Sequence, residues 1–138
     1  MIDVRVQTGD FDPGRQIERL RGLGAAAIVG SLAIIEAGAD VQEVRVEHYP
    51  AMAKAELARI AGEAAKQWPL GGIVVVHRYG RFAPGARLLL IGVAAARHGA
   101  ALEAVAYLQR AIRARAPFWR KDLLAGGGSR WVGPAETD

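Results

Sequence analysis

Apolar and polar residues alternate along several short stretches of this chain, and elsewhere apolar residues run together in short groups. Alternation is typical of a half-buried strand, whereas a short continuous apolar run is typical of a strand covered on both faces. The segments that show one pattern or the other are residues 2–6, 24–35, 44–49, 73–76, 87–93 and 130–132. They predict six strands, of which 24–35 and 73–76 are expected to be buried.

Three other stretches carry the signals of helices. Asp12 followed by Pro13 combines an N-cap with a proline at the first helical position, which predicts a short helix to about Leu20. Two longer stretches, 50–68 and 99–115, place apolar residues on one face at helical spacing. The predicted buried residues are Ala53, Leu57, Ile60, Ala64 and Trp68 in the first stretch, and Ala101, Val105, Leu108 and Ile112 in the second.

The order of these elements predicts an α+β fold, with a mixed sheet and two long helices in a single domain over residues 1–138. A chain of 138 residues is long enough for one hydrophobic core and short for two. With 51% apolar and 23% charged residues, the composition is that of a globular protein and argues against an intrinsically disordered one.

Several classes of function are not expected. The chain has no cysteine, which excludes disulfides, thiolate nucleophiles and cysteine-ligated metals, and its three histidines lie far apart, so we expect neither a metal nor another cofactor. No apolar run reaches the ~20 residues of a membrane span, and residues 1–5 do not resemble a secretory signal, so we expect a cytoplasmic protein with no membrane partner. The glycines at 22 and 24 follow a helix and precede a strand, the reverse of a dinucleotide-binding loop.

Positive charge is concentrated in the last third of the chain. Residues 97–130 contain seven basic and two acidic residues, whereas the net charge of the whole chain is +4. Such a local excess favours an anionic partner such as a phosphate or a carboxylate. A general polyanion binder is one alternative, but the segment lacks the interleaved surface aromatics that stack on bases, so we expect no nucleic acid.

The basic residues of this segment occupy positions from which side chains could converge. Arg97 and His98 stand between a predicted strand and a predicted helix, where backbone N–H groups can also face an anion. Arg113 belongs to the last turn of that helix, and Arg120 and Lys121 follow the Pro117 break. Guanidinium groups bind phosphate and carboxylate in a bidentate manner. We therefore expect Arg97, Arg113 and Arg120 to surround one small anion.

Five short motifs also resemble those of a known family. They are EHYP at 47–50, WPLG at 68–71, HRYG at 77–80, APFW at 116–119 and RWV at 130–132. Their order and separations resemble those of the large, catalytic subunit of molybdopterin synthase. The resemblance extends from about Gly24 to Val132 without a large gap.

The resemblance implies an α+β fold of the α/β-hammerhead type and a homodimer, which becomes a heterotetramer with two copies of a small ubiquitin-like sulfur carrier. It implies a sulfurtransferase of molybdenum cofactor biosynthesis. The carrier inserts a C-terminal Gly-Gly thiocarboxylate, and its sulfur passes to cyclic pyranopterin monophosphate to form the molybdopterin dithiolene. This chain ends in Glu136-Thr137-Asp138, so we do not expect it to be the carrier.

The resemblance also assigns site residues. Arg113 and Arg120 stand where the family has lysines, and Arg97-His98 reverses the family's His-Arg pair. Arginine keeps its proton, so Arg113 is expected to act through its charge, and Lys121 is the nearby amine that could act as acid or base. Lys121 and Arg120 are adjacent on an extended segment and should point to opposite sides. The expected substrate-binding residues are Arg97, His98, Arg113, Arg120, Lys121 and Asp122.

One departure supports a second hypothesis. The family has two cations where this chain has Ser31 and Ala33. A dimeric paralogue that binds carrier or pterin without turnover is therefore the alternative to an active sulfurtransferase.

Overall fold

The computed structural model describes residues 1–133, apart from the side chain of Pro50, and shows eight strands and three helices in that part of the chain. In chain order they are β1 (Ile2–Gln7), α1 (Pro13–Glu18), β2 (Ala27–Ile34), β3 (Val41–His48), α2 (Pro50–Gln67), β4 (Leu70–Arg78), β5 (Gly80–Phe82), β6 (Arg87–Ala95), α3 (His98–Arg115), β7 (Phe118–Leu124) and β8 (Ser129–Val132). None of the described helices is long and apolar enough to cross a membrane.

The larger sheet has the strand order β1-β4-β6-β2. It is mixed, because β1 runs parallel to β4 whereas β6 is antiparallel to both β4 and β2. The two long helices, α2 and α3, cover one face of this sheet and bury the main hydrophobic core against it. The fully buried residues there include Leu57 and Ile60 of α2, Ile73 and Val75 of β4, Ile91 of β6 and Leu108 of α3.

Helix α1 and the segment after it cover the opposite face of the larger sheet. Leu20 and Phe11 pack there against Val74 and Val76, the alternate residues of β4. The close approach depends on glycine, since a Cβ on Gly71 would lie 2.5 Å from the carbonyl oxygen of Leu23. Strand β4 is therefore covered on both faces, which explains its continuous apolar run.

The smaller sheet has the order β5-β3-β7-β8, and all of its pairings are antiparallel. Its own apolar cluster contains Val44, Val46 and Phe82. Phe118, the first residue of β7, packs against this cluster and against the main core. It thus joins the two parts of the hydrophobic interior at the point where α3 gives way to β7.

Most of the predicted elements are confirmed, including the α+β class, the mixed sheet and the buried faces of the two long helices. The Asp12 N-cap is confirmed, with Oδ1 accepting a hydrogen bond from the Arg15 amide at 3.2 Å. The predicted end of α1 at about Leu20 is wrong by two residues, because the helix ends at Glu18.

The prediction that β2 is buried is also wrong. It is an edge strand among the described strands, and its Leu32 and Ile34 are 40% and 43% exposed. Two strands, β5 and β7, were not predicted. Strand β5 is only three residues long, and the inward positions of β7 include Arg120 and Asp122, so neither shows an apolar period.

Candidate active site: an apolar cavity bordered by arginines

A cavity of about 720 Å³ lies between the edge strand β2, the C-terminal turn of α3 and the strands β7 and β8. Its volume falls in the range of small-molecule sites. A more open depression of about 870 Å³ adjoins it, and Arg120 lines both. The wall of the first cavity is largely apolar, and its polar or charged side chains are Ser31, His77, Gln109, Arg113, Arg115 and Arg120.

The end of α3 positions the cationic side of this cavity. Ala116 is extended and Pro117 follows it, so the chain passes directly from the helix into β7. Arg113 in the last turn of α3 and Arg120 near the start of β7 are therefore held on the wall of one cavity. Two guanidinium groups beside apolar walls form a site suited to an anion that also carries a flat or apolar part.

Arg115 fixes this helix end to α2. It donates hydrogen bonds to Glu63 at 2.6 and 3.0 Å and to Glu56 at 2.9 and 3.1 Å. Tyr107 donates to Glu63 at 2.6 Å. The Arg115 guanidinium, followed by the Tyr107 hydroxyl, lowers the pKa of Glu63 to about 2. These bonds hold the backbone just before the segment that forms the cavity wall.

Asp122 fixes Arg120. The carboxylate is 3% exposed, and it accepts hydrogen bonds from Arg120 Nε at 2.8 Å and from Arg130 at 3.5 Å. A terminal nitrogen of Arg120 donates to the carbonyl of Glu36 at 2.5 Å. Both oxygens of Asp122 are thus engaged by arginines, which holds the Arg120 guanidinium in place on the cavity wall. Asp122 therefore orients cations here instead of facing the cavity itself.

Two histidines and a phenylalanine form a stack beside the cavity. The ring of His77 is almost parallel to Phe118, at 5°, with a centroid distance of 3.6 Å. His48 is also parallel to Phe118, at 5.5 Å, and contacts Tyr79 at 3.8 Å. Burial lowers the pKa of His77 to about 4 and also lowers the pKa of His48. Both imidazoles are therefore neutral at physiological pH.

The structure separates the sequence-predicted site residues into two groups. Arg113 and Arg120 line the same cavity, whereas Lys121 lies with its ammonium 5.2 Å from the ring centre of Trp131 and is not part of the cavity wall. Arg97 and His98 stand at the beginning of α3, and Arg113 is near its end. The rise of ~1.5 Å per residue puts about 24 Å of helix between Arg97 and Arg113, so one chain does not bring them together.

Sequence reasoning missed other residues of the cavity. His77 lies in a strand whose apolar run makes it look like part of a core, and Phe118 looked like a packed residue beside a proline. That His77 and Phe118 lie on the same wall follows only from the three-dimensional structure, in which β3 pairs with β7 and His48 is opposite Phe118. The sequence signal that could have indicated this wall is His77, a polar residue near the end of an otherwise apolar strand.

The fold and the cavity define an α+β protein with two sheets and a cavity of small-molecule size whose wall includes arginines. Residues 6–115 match the family model described as "MoaE protein". The molybdopterin synthase catalytic subunit of Mesorhizobium japonicum is 41% identical over 140 residues, which cover 98% of this chain and 87% of the relative. The chain belongs to the MoaE family of molybdopterin synthase catalytic subunits, enzymes of molybdenum cofactor biosynthesis, and the resemblance seen in the sequence is confirmed.

Solved structures agree with this assignment. The molybdopterin biosynthesis MoaE protein from Burkholderia ambifaria superimposes with a TM-score of 0.84 at 30% identity, covering 100% of this chain and 93% of that one. A chain of the complex of subunits 1 and 2 of molybdopterin-converting factor from Helicobacter pylori has a TM-score of 0.75 at 18% identity, covering 94% of this chain and 88% of that one. The second likeness is one of fold alone.

Proposed function

We propose that the 720 Å³ cavity is the place where sulfur passes from the C-terminal thiocarboxylate of a small carrier to cyclic pyranopterin monophosphate. The observation that carries this proposal is the presence of Arg113 and Arg120 on one cavity whose remaining wall is largely apolar. The phosphate then pairs with the guanidinium groups, and the ring system lies against the apolar and aromatic wall. Family membership supports the reaction, and the charged and apolar lining of the cavity supports its assignment to this place.

The arginines act by fixed charge. A guanidinium does not lose its proton in a protein, so neither Arg113 nor Arg120 removes a proton during the reaction. Both can stabilise negative charge that develops on the substrate, because they are held in place before the reaction begins. Lys121 remains the nearby amine, but its ammonium would have to leave Trp131 to take part as acid or base.

The mouth of the cavity suits the tail of a protein partner. Trp119 and Trp131 both line the cavity and are 46% and 55% exposed. Exposed aromatic side chains of this size are common at protein interfaces. The Helicobacter pylori protein that shares the fold is described as a complex of two different subunits. We infer that a small carrier binds here and inserts its last residues between the two tryptophans.

Arg97 and His98 fit this function through a second copy of the chain. They are too far from Arg113 to join its cavity in one protomer, because α3 separates them. In a homodimer they could approach the cavity of the partner and add positive charge to it. With a carrier on each protomer, the assembly would be a heterotetramer.

Reconstitution tests the proposal directly. The chain is mixed with a thiocarboxylated carrier and cyclic pyranopterin monophosphate, and formation of the dithiolene is measured. Arg113→Gln should lower kcat/KM for the pterin about tenfold to a hundredfold, the range for loss of a hydrogen bond to a charged group. The matched control is Arg110→Gln, which removes an exposed arginine of the same helix that is not part of the cavity wall.

The same assay separates the enzyme from a paralogue that only binds. Ser31 and Ala33, which replace two family cations, lie on the wall of the cavity, so the loss of charge is at the site itself. If the wild-type chain binds the pterin but forms no dithiolene, while the double variant Arg113→Lys, Arg120→Lys does form it, the chain is the non-catalytic paralogue. Turnover by the wild type rejects that alternative.

A further inference from the structure

His77 has one ring nitrogen committed and the other without a partner. Nδ1 lies 2.9 Å from the carbonyl oxygen of Arg78. A carbonyl only accepts hydrogen bonds, so the proton is on Nδ1 and the lone pair is on Nε2. Nε2 forms no hydrogen bond within the described part of the chain.

The surroundings of the ring fix its direction. Its face is stacked on Phe118 at 3.6 Å, its side chain is buried with 6% exposed, and it lines the cavity that also holds Arg113 and Arg120. The fully buried polar atom without a hydrogen-bond partner among the described side chains is Nε2 of His48, on the same phenyl ring, and not Nε2 of His77. An acceptor that is held rigidly and has no hydrogen-bond partner from the described residues is arranged for a ligand when its side chain lines a cavity.

We propose that His77 is a substrate-contacting residue, whose Nε2 accepts a hydrogen bond from an N–H or O–H group of the pterin ring system. This inference rests on the proposed function, because it takes the pterin as the occupant of the cavity. Arg113 and Arg120 then hold the phosphate, and His77 selects the ring.

The chemistry of the pocket makes this contact specific. A ligand that covers this acceptor without donating to it adds the cost of its desolvation, so a ligand without a donor at this point is disfavoured. Sites built to hydrogen-bond a particular group reject analogues that lack it more strongly than apolar pockets reject small changes of size. His77 can discriminate in this way because its ring remains neutral and therefore keeps the lone pair.

Two substitutions separate hydrogen bonding from packing. His77→Phe keeps a planar ring against Phe118 and removes the acceptor, whereas His77→Gln removes the ring and keeps an amide acceptor. We expect His77→Phe to raise KM for the pterin about tenfold, with KM for the carrier unchanged, and His77→Gln to recover part of that loss. A His77→Phe enzyme with the wild-type KM for the pterin would overturn the proposal.

A spectroscopic measurement covers the case in which the variants do not fold. The chain has three histidines, so ¹⁵N-histidine labelling of the wild-type protein gives few signals, and an exposed-site variant, His98→Gln, identifies one of them. The Nε2 signal of a histidine that is protonated on Nδ1 should move when cyclic pyranopterin monophosphate is added, and should not move with inorganic phosphate alone. No change at saturating pterin would refute the contact.

The two proposals fail in different ways. If the wild-type protein gives no dithiolene but the pterin shifts the Nε2 signal, the sulfur-transfer function fails and the His77 contact stands. If the dithiolene forms and the Nε2 signal does not move, the contact fails and the function stands.

Discussion

The buried imidazole of His77 should make the stability of this protein depend on pH in a range where carboxylates contribute little. Burial is the main cause of its low pKa of about 4, and the neighbouring His48 adds to the effect. In the unfolded chain the pKa of a histidine is about 6.5. Between these two values the unfolded state binds a proton that the folded state does not, so stability falls as the pH falls.

The size of the effect follows from the two pKa values. The contribution of neutral His77 is complete above pH 6.5 and is lost as the pH falls towards the folded-state pKa of about 4. Linkage arithmetic gives a loss of about 2 kcal/mol between pH 7 and pH 5. The groups that face the ring are Phe118 and the Arg78 carbonyl, and the nearby charge of His48 adds to the lowering of the His77 pKa. Its contribution has the same sign, because burial lowers the pKa of His48 as well.

The assay compares wild type with His77→Phe by urea unfolding at pH 7, 6 and 5 at constant ionic strength. The free energy of unfolding of the wild type should fall by about 2 kcal/mol more than that of the variant over this range. His98→Gln is the matched control, because it removes an exposed histidine and should keep the wild-type slope. If the wild type and His77→Phe gave parallel pH profiles, His77 would not be buried in the neutral form and the reasoning would be wrong.

Two further predictions concern packing and charge. Gly71→Ala places a Cβ 2.5 Å from the backbone oxygen of Leu23 and should cost about 1–3 kcal/mol, whereas Gly62→Ala in α2 has no atom within 4 Å and should stabilise by about 0.5–1 kcal/mol. Urea unfolding of both variants measures this, and equal midpoints would contradict it. Arg115→Gln should lower the stability of the protein at low salt and lower it less at 1 M salt, because exposed ion pairs are screened. The part due to Glu63 should vanish as the pH falls through about 2, its pKa, and a loss independent of salt would show that Arg115 acts by packing alone.

The long helices were predictable because their information is local. In α2 and α3 the apolar residues repeat at helical spacing over five turns, and every such residue except Trp68 is fully or almost fully buried. Proline at the first helical position of α1 and after the end of α3 gave boundaries to within about two residues. A helical repeat of this length can be recognised whatever the order of the strands in the sheet.

The strands depended on information that is not local. Whether β2 is buried depends on its position at the edge of the sheet, and this position cannot be read from the sequence of residues 27–34. Strand β7 was missed because Arg120 and Asp122 satisfy each other inside the fold, and their pairing replaces the apolar residues that alternation would look for. The candidate site was predictable only in part for the same reason: Arg113 and Arg120 do line one cavity, but Arg97 does not. Proximity in sequence grouped Arg97 with Arg113, and the helix between them keeps them apart.

The geometry around Arg120 explains how an arginine can stand where the family resemblance expects a lysine. Its Nε reaches Asp122 while a terminal nitrogen reaches the carbonyl of Glu36, so the planar group spans two partners in different directions. The compact ammonium of a lysine has no such fork. The substitution therefore ties β7 to the segment after β2 and fixes a positive charge on the wall of the cavity. In the proposed site, a guanidinium held in this way has its position fixed before the substrate binds. It can then stabilise negative charge on the substrate without transferring a proton.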